Sequence, residues 1–275
     1  DDNSGQPSAK EVFDTTPYTI LVVDDNPDMT DFLKRTFEGY FKRIIIAGDG
    51  GEALQLVRSH VPDIIVSDVM MPRMNGYKLC KTIKEDINIS HIPVILLTAR
   101  DDRQSQISGY KNGADGYLSK PFEVEMLMEL IRNRLKNREY TKKRYLNAGL
   151  IPTPEESTIS LTDETFLIKL NSIIQENIEN SNLGIQFICQ EVGLGRSSLY
   201  NKLKALTGMG ANEYISKLRI EKAITLISGT DMPFSEIAEK TGFTTPSYFS
   251  TAFKQYTGET PSQYKERKKK GLADK

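Results

Sequence analysis

The chain has 275 residues, 38% of them hydrophobic and 27% charged, with a formal net charge of −1. That length suits two domains with separate cores, and the balanced charge excludes a polyelectrolyte acting through its overall field. No stretch of about 18 apolar residues appears, and the opening DDNSGQPSAK lacks the basic and apolar regions of a signal peptide, so the segment is expected to make no membrane contact and to be cytoplasmic. Cys80 and Cys189 lie far apart within apolar helical patterns and read as buried thiols, neither a disulfide nor a metal site.

Residues 1–17 are polar and rich in Asp, Ser, Gly and Pro, and are expected to form a flexible tether. From residue 18, short β-rich runs alternate with amphipathic stretches. TILVVDD precedes a helix from about Asp28 to Tyr40, and RIIIAG one from about Gly51 to His60. DIIVSD precedes a helix from about Gly76 to Ile87, IPVILLTA one from about Arg103 to Gly113, and GYLSKP a long one from about Glu123. Apolar runs separated by helices predict a parallel sheet covered on both faces, a doubly wound (βα)5 domain over residues 18–138. The last helix runs on through NREYTKKRYLN until IPTPEEST breaks it, so residues 139–162 read as an extended helix and Pro-containing linker.

Beyond the linker no β-run appears. Helical spacing over residues 163–270 predicts an all-α domain of about seven helices, followed by a tail at 271–275. This half contains a repeat: IAEKTGFTTPSYFSTAFKQYTG echoes ICQEVGLGRSSLYNKLKALTG, matching Ile188 with Ile237, Gly193 with Gly242, Leu203 with Phe253 and Gly208 with Gly258.

In a doubly wound sheet the carboxyl ends of the strands share one crevice. Those ends carry Asp24 and Asp25, Asp68, Thr98, and Lys120, so three acids, a hydroxyl and an ammonium are expected to converge. Three close carboxylates need a hard cation, which implies Mg²⁺. A metal-bound carboxylate beside a hydroxyl and a lysine suits attack on phosphorus, giving an acyl phosphate. A phosphohydrolase is the rival reading, but it would want a second general acid near the nucleophile, and position 70 is Met. No glycine-rich nucleotide loop appears, and His60 and His91 read as turn residues, so the chain is expected to receive phosphate, not to make it, and not to be an enzyme beyond slow self-dephosphorylation.

VVDD, SDVMMPRMNG, LLTA and SKPF resemble the motifs of CheY-like receiver domains of two-component response regulators. The resemblance implies Asp68 as phosphoacceptor, Asp25 as a direct and Asp24 as a water-mediated Mg²⁺ ligand, and a backbone carbonyl from Met70 to the metal. It further implies that Thr98 and Lys120 contact phosphoryl oxygens and that Tyr117 is a switch aromatic. A histidine kinase is the implied phosphodonor.

Between residues 181 and 275, 14 Lys and Arg stand against 9 Asp and Glu, a local surplus of five. Each repeat reads as a helix, a Gly turn and a second helix, the helix-turn-helix pattern that places its second helix in a major groove. In the first copy Leu199, Leu203 and Leu206 point inward, leaving Arg196, Ser197, Tyr200, Asn201 and Lys204 outward. In the second, Phe249, Phe253 and Tyr256 are expected inward, leaving Thr245, Ser247, Ser250, Thr251 and Lys254 outward. The layout, down to GFTTPSYFSTAFKQYTGETPSQYKE, resembles the AraC-type DNA-binding domain, which implies that the outward residues face bases or phosphates of double-stranded DNA. The first helix is expected to discriminate more, since Ser and Thr read bases less sharply than Arg or Gln. KERKKK is expected to fray. The rival for this half is a module whose helices bind protein. A receiver joined to an AraC-type module resembles the C-terminal part of hybrid two-component regulators, which implies a homodimer when phosphorylated, a kinase in the same polypeptide or a separate one, and control of polysaccharide-utilisation genes.

Overall fold

The computed structural model describes residues 12–99, 113–147 and 160–273. These form two compact units, dividing after Tyr140. The expected helix from Arg103 to Gly113 and the Pro-containing break after residue 150 lie outside the described residues.

In the first unit, β1 (Thr19–Val23), β2 (Arg43–Ala47), β3 (Ile64–Asp68), β4 (Val94–Ala99) and β5 (Gly116–Lys120) form one parallel sheet in the order β2-β1-β3-β4-β5. Alternation along the strands divides the core. Leu21, Val23, Ile65 and Leu96 pack under α2 (Gly50–His60) and α3 (Gly76–Glu85), while Ile20, Val22, Ile64, Val66, Ile95 and Leu97 pack with residues of α1 (Pro27–Phe37) and α4 (Val124–Asn147). The helices start where side chains satisfy their first amides: Asn26 accepts from Asp28 N–H, Asp49 from Gly51 and Glu52 N–H, and Asn75 from Lys78 N–H. This is the doubly wound architecture expected from the alternation of runs.

Residues 12–17 are not a tether. Thr15 is buried, its hydroxyl donates to the Tyr40 carbonyl at 2.7 Å, and Phe13 stacks on Tyr18 with ring centroids 5.8 Å apart. Phe13 is a single apolar residue and registers as no periodic element, yet with Thr15 it seats the segment against an existing core.

Among its described residues the second unit contains seven helices after the end of α4: α5 (Leu161–Glu176), α6 (Ile185–Val192), α7 (Arg196–Thr207), α8 (Ala211–Gly229), α9 (Phe234–Lys240), α10 (Pro246–Thr257) and α11 (Pro261–Ala273). Three boundaries shift from those expected. The Thr141–Asn147 end of α4 belongs to this unit, with Tyr145 buried and its carbonyl accepting from Lys217 Nζ, so it is packed structure and not linker. The expected linker also loses Leu161 and Thr162 to α5, whose first turn Ser160 caps by accepting from Asp163 N–H. KERKKK and the first three tail residues are helical, because Tyr264 anchors α11 at 5.5 Å from Phe253.

The repeat is real in three dimensions. Gly193, Gly208 and Gly258 cap α6, α7 and α10, and Gly242 follows the Thr241 cap of α9, with φ of 73°, 76°, 81° and 70°, the left-handed conformation that glycine adopts without penalty. The copies differ in one respect: one residue separates Gly193 from the cap Gly195, but two separate Gly242 from the cap Thr245. Among the described residues no helix is long and apolar enough to cross a membrane.

Candidate acid pocket and nucleic-acid interface

The carboxyl ends of four strands meet in one crevice. Carboxylate oxygens of Asp24, Asp25 and Asp68 lie within 4.8 Å of one another, Asp24 and Asp68 buried and Asp25 exposed. Lys120, at the end of β5, bridges two of them: its Nζ lies 2.9 Å from Asp24 Oδ2 and 2.7 Å from Asp68 Oδ1. The remaining oxygens of those two acids accept backbone amides, Asp24 Oδ1 from Asn26 and Asp68 Oδ2 from Met70, both at 2.9 Å. Burial pushes the Asp68 carboxyl above the usual carboxylate range, against the pull of Lys120. Burial also lowers the Lys120 pKa, but its bonds to Asp68 and Asp24 outweigh that effect and the net shift is upward.

Thr98 is fully buried and pairs across the sheet with Ser119, next to Lys120. Its Oγ1 has no hydrogen-bond partner among the described residues, and a buried hydroxyl without a partner is costly unless something arrives to accept its proton. Three convergent carboxylates therefore fit a divalent cation with oxygen preference, and the Thr98 hydroxyl fits an anionic group delivered beside it. Tyr117 is half-buried and packs against the α2–α3 side of the core. The Met70 side chain is 71% exposed, so this position supplies backbone and no general acid. Asp24, Asp25, Asp68 and Lys120 are thus brought together, and Thr98 stands at the end of β4 between the strands that carry Asp68 and Lys120.

Two features escape a reading of the sequence alone. A Cβ on Gly76 would come within 2.2 Å of the Asp68 carbonyl, so the backbone after Asp68 closes tightly only because position 76 is glycine. Asp49, the cap of α2, also pairs with Arg73, which sits at φ 62° in the loop after β3 and so fastens that loop to α2. The signal was present as a cap residue before GGE and an arginine within MMPRMNG, but residues 24 apart reveal no pairing without the fold.

In the second unit, Arg196, Ser197, Tyr200, Asn201 and Lys204 of α7 are all exposed, while Leu199, Leu203 and Leu206 are buried. Arg196 Nη2 reaches Gln186 Oε1 of α6 at 3.5 Å. In α10, Phe249 and Phe253 point inward as expected, but Tyr256 is exposed and its hydroxyl donates to the Glu213 carbonyl at 2.7 Å. It occupies the position matching Leu206, near the helix end, where a phenol retains a polar tip that seeks an exposed acceptor. Thr245, Ser247, Thr251 and Lys254 are exposed and Ser250 is half-buried. Their hydroxyls are engaged locally: Thr245 caps by accepting Tyr248 N–H, Ser250 donates to the Pro246 carbonyl at 2.9 Å and Thr251 to that of Ser247 at 3.1 Å.

Both halves have relatives. The family described as response regulator receiver domain matches residues 20–132, and that described as helix-turn-helix domain matches residues 188–267. The chain is 41% identical over 249 residues to histidine kinase P4 of Formosa agariphila, which covers 90% of this chain and 18% of that protein. It is 36% identical over 136 residues to the DNA-binding response regulator MtrA of Mycolicibacterium smegmatis, 50% of this chain and 58% of that one. It is 36% identical over 165 residues to response regulator MprA of a Mycobacterium species, 55% of this chain and 70% of that one. The chain therefore spans about a fifth of the first of these relatives and somewhat over half of the second. With its parallel-sheet receiver, its acid pocket and its duplicated helical module, this chain belongs to the two-component response regulators, as a receiver domain joined to an AraC-type helix-turn-helix domain.

Proposed function

We propose that phosphorylation of Asp68 controls sequence-specific binding of the second unit to double-stranded DNA, and thereby transcription. The observation that carries this reading is the convergence of Asp24, Asp25, Asp68 and Lys120, with a buried Thr98 hydroxyl at the end of the adjacent strand that has no partner among the described residues. An Asp68 carboxylate oxygen attacks the phosphorus of a kinase phosphohistidine; the O–P bond forms, the P–N bond breaks, and the imidazole leaves with the bonding pair. Mg²⁺, held by Asp24, Asp25, Asp68 and the Met70 carbonyl, would offset charge on the transferring group. Lys120 turns from the carboxylates to a phosphoryl oxygen, and the Thr98 hydroxyl donates to another. Tyr117 follows Thr98, which alters the receiver surface and favours a homodimer that places two DNA-binding units on a repeated site.

On this reading the chain is cytoplasmic, has no catalytic activity beyond slow loss of its own phosphoryl group, and takes phosphate from a histidine kinase. Control of polysaccharide-utilisation genes rests on the resemblance to hybrid regulators alone. The test is labelling with a small phosphodonor such as acetyl phosphate. Label should need Mg²⁺ and disappear in Asp68→Asn, and persistence in either condition would refute Asp68 as acceptor. In parallel, a duplex shift that weakens steeply with salt separates a DNA-binding unit from one that binds protein.

A further inference from the structure

The duplicated unit is asymmetric in what its second helices offer to a ligand. Taking the second unit as DNA-binding, as argued above, α7 presents Arg196, Tyr200, Asn201 and Lys204, all exposed. In α10 the row opposite the Phe249 and Phe253 core is Ser247, Thr251 and Lys254, by the turn of about 100° per residue. The Thr251 proton is committed to its own helix, as is that of the neighbouring Ser250. Lone pairs remain at both, and the donors left in the row are the Ser247 hydroxyl and the Lys254 ammonium, the latter a point charge suited to a phosphate more than to a base edge.

Tyr248 is different. It stands 54% exposed in the first turn of α10, and its ring meets Phe243 edge-on at a centroid distance of 5.7 Å, with Phe243 in turn packed on Phe249 at 5.4 Å. Two core aromatics thus hold a half-exposed ring whose hydroxyl makes no hydrogen bond within the described residues, so the phenol is pre-ordered and its donor is uncommitted. Relative to the Ser247–Thr251–Lys254 row it lies about 100° around the helix, on a flank and not on the floor-facing side. When a helix lies in a major groove, its flanks meet the walls, and the walls are phosphates.

We propose that Tyr248 donates its hydroxyl to a DNA phosphate and that the α9–α10 unit anchors the module on the backbone, leaving sequence discrimination to α7. This rests on the DNA-binding reading of the second unit, and the experiment separates the two. The full chain is titrated against duplexes selected from a random pool, and against the same duplexes with the segment facing α10 scrambled. The parent is expected to bind selected and scrambled duplexes within about two-fold. Tyr248→Phe keeps the ring and its packing, and is expected to weaken binding to both by about 5- to 10-fold without changing the salt dependence, since no charge is lost. Unchanged affinity in Tyr248→Phe, a loss confined to particular sequences, or a scrambling penalty that Thr251→Ala abolishes would each overturn the proposal. A parent that shows no salt-sensitive binding to any duplex would instead remove the DNA-binding reading beneath it.

Discussion

At the residue scale, the acid pocket is a balance of three carboxylates and one ammonium. Lys120 neutralises part of the charge that a divalent cation would neutralise, so removing it makes the pocket more attractive to metal and less able to hold a phosphoryl oxygen. Lys120→Ala is expected to bind Mg²⁺ as well as the parent or up to several-fold tighter, while its DNA affinity no longer responds to phosphorylation. Because the chain contains no Trp, calorimetry is the suitable measurement of the first part, and a gel shift with and without phosphodonor measures the second. The pocket was legible because strand ends of a parallel sheet converge by topology, so Asp24, Asp25, Asp68, Thr98 and Lys120 could be placed together from their positions alone. Buried charge was not legible in the same way. Lys202 is fully buried against Asp163, 39 residues away, and under Phe166, whereas a lysine on an amphipathic helix reads by default as solvated.

At the element scale, equivalent glycines of the repeat carry different loads. Gly193 has nothing within 4 Å of where a Cβ would stand, but at Gly242 that Cβ would come within 2.2 Å of the Ile178 carbonyl and 2.8 Å of Arg219 Nη2. Gly193→Ala should therefore cost only the left-handed penalty, about 1 kcal/mol. Gly242→Ala adds a backbone clash and displaces the Arg219 bond to the Asn180 carbonyl, so about 3 kcal/mol or more is expected. Thermal denaturation of the two variants would show the difference, and equal shifts would contradict it. In α8, burial raises the Glu221 carboxyl to about 6, with Lys217 Nζ 3.8 Å away. A folded pKa above the unfolded one means stabilisation that is complete below about 4.5 and lost as pH rises through about 6. Glu221→Gln should flatten that dependence by on the order of 1–2 kcal/mol, read from amide exchange in α8 at pH 4.5 and 7.5. Element identities followed from periodicity, since α7 and α10 bury their repeating apolar rows. Element ends did not: α11 and residues 12–17 owe their order to a few isolated contacts, among them Tyr264 on Phe253 and Thr15 on Tyr40, which leave no periodic trace.

At the scale of the whole molecule, two helix-turn-helix units flank α8, whose 19 residues at 1.5 Å each make a strut of about 28 Å. Successive major-groove segments on one side of straight B-DNA lie about 34 Å apart. If both α7 and α10 are to enter the groove, the duplex must bend toward the protein, at on the order of a few kcal/mol that depends on the intervening sequence. Footprinting should therefore show two protected segments with base preference at untouched central positions, and circularly permuted duplexes should migrate as bent; one segment on straight DNA would mean that a single unit binds. The unequal turns of the repeat bear on how such a protein can be rebuilt. Because the turn into α10 has one residue more than the turn into α7, the two helices begin at different phases relative to the glycine that precedes them. Outward residues copied from α7 onto α10 position by position from that glycine would face a different side of the helix. The register to copy in this scaffold is consequently that of the helix counted from its cap, where Leu199 and Leu203 fall on Phe249 and Phe253, and a chimera aligned on the preceding glycine would turn its reading surface by about 100°.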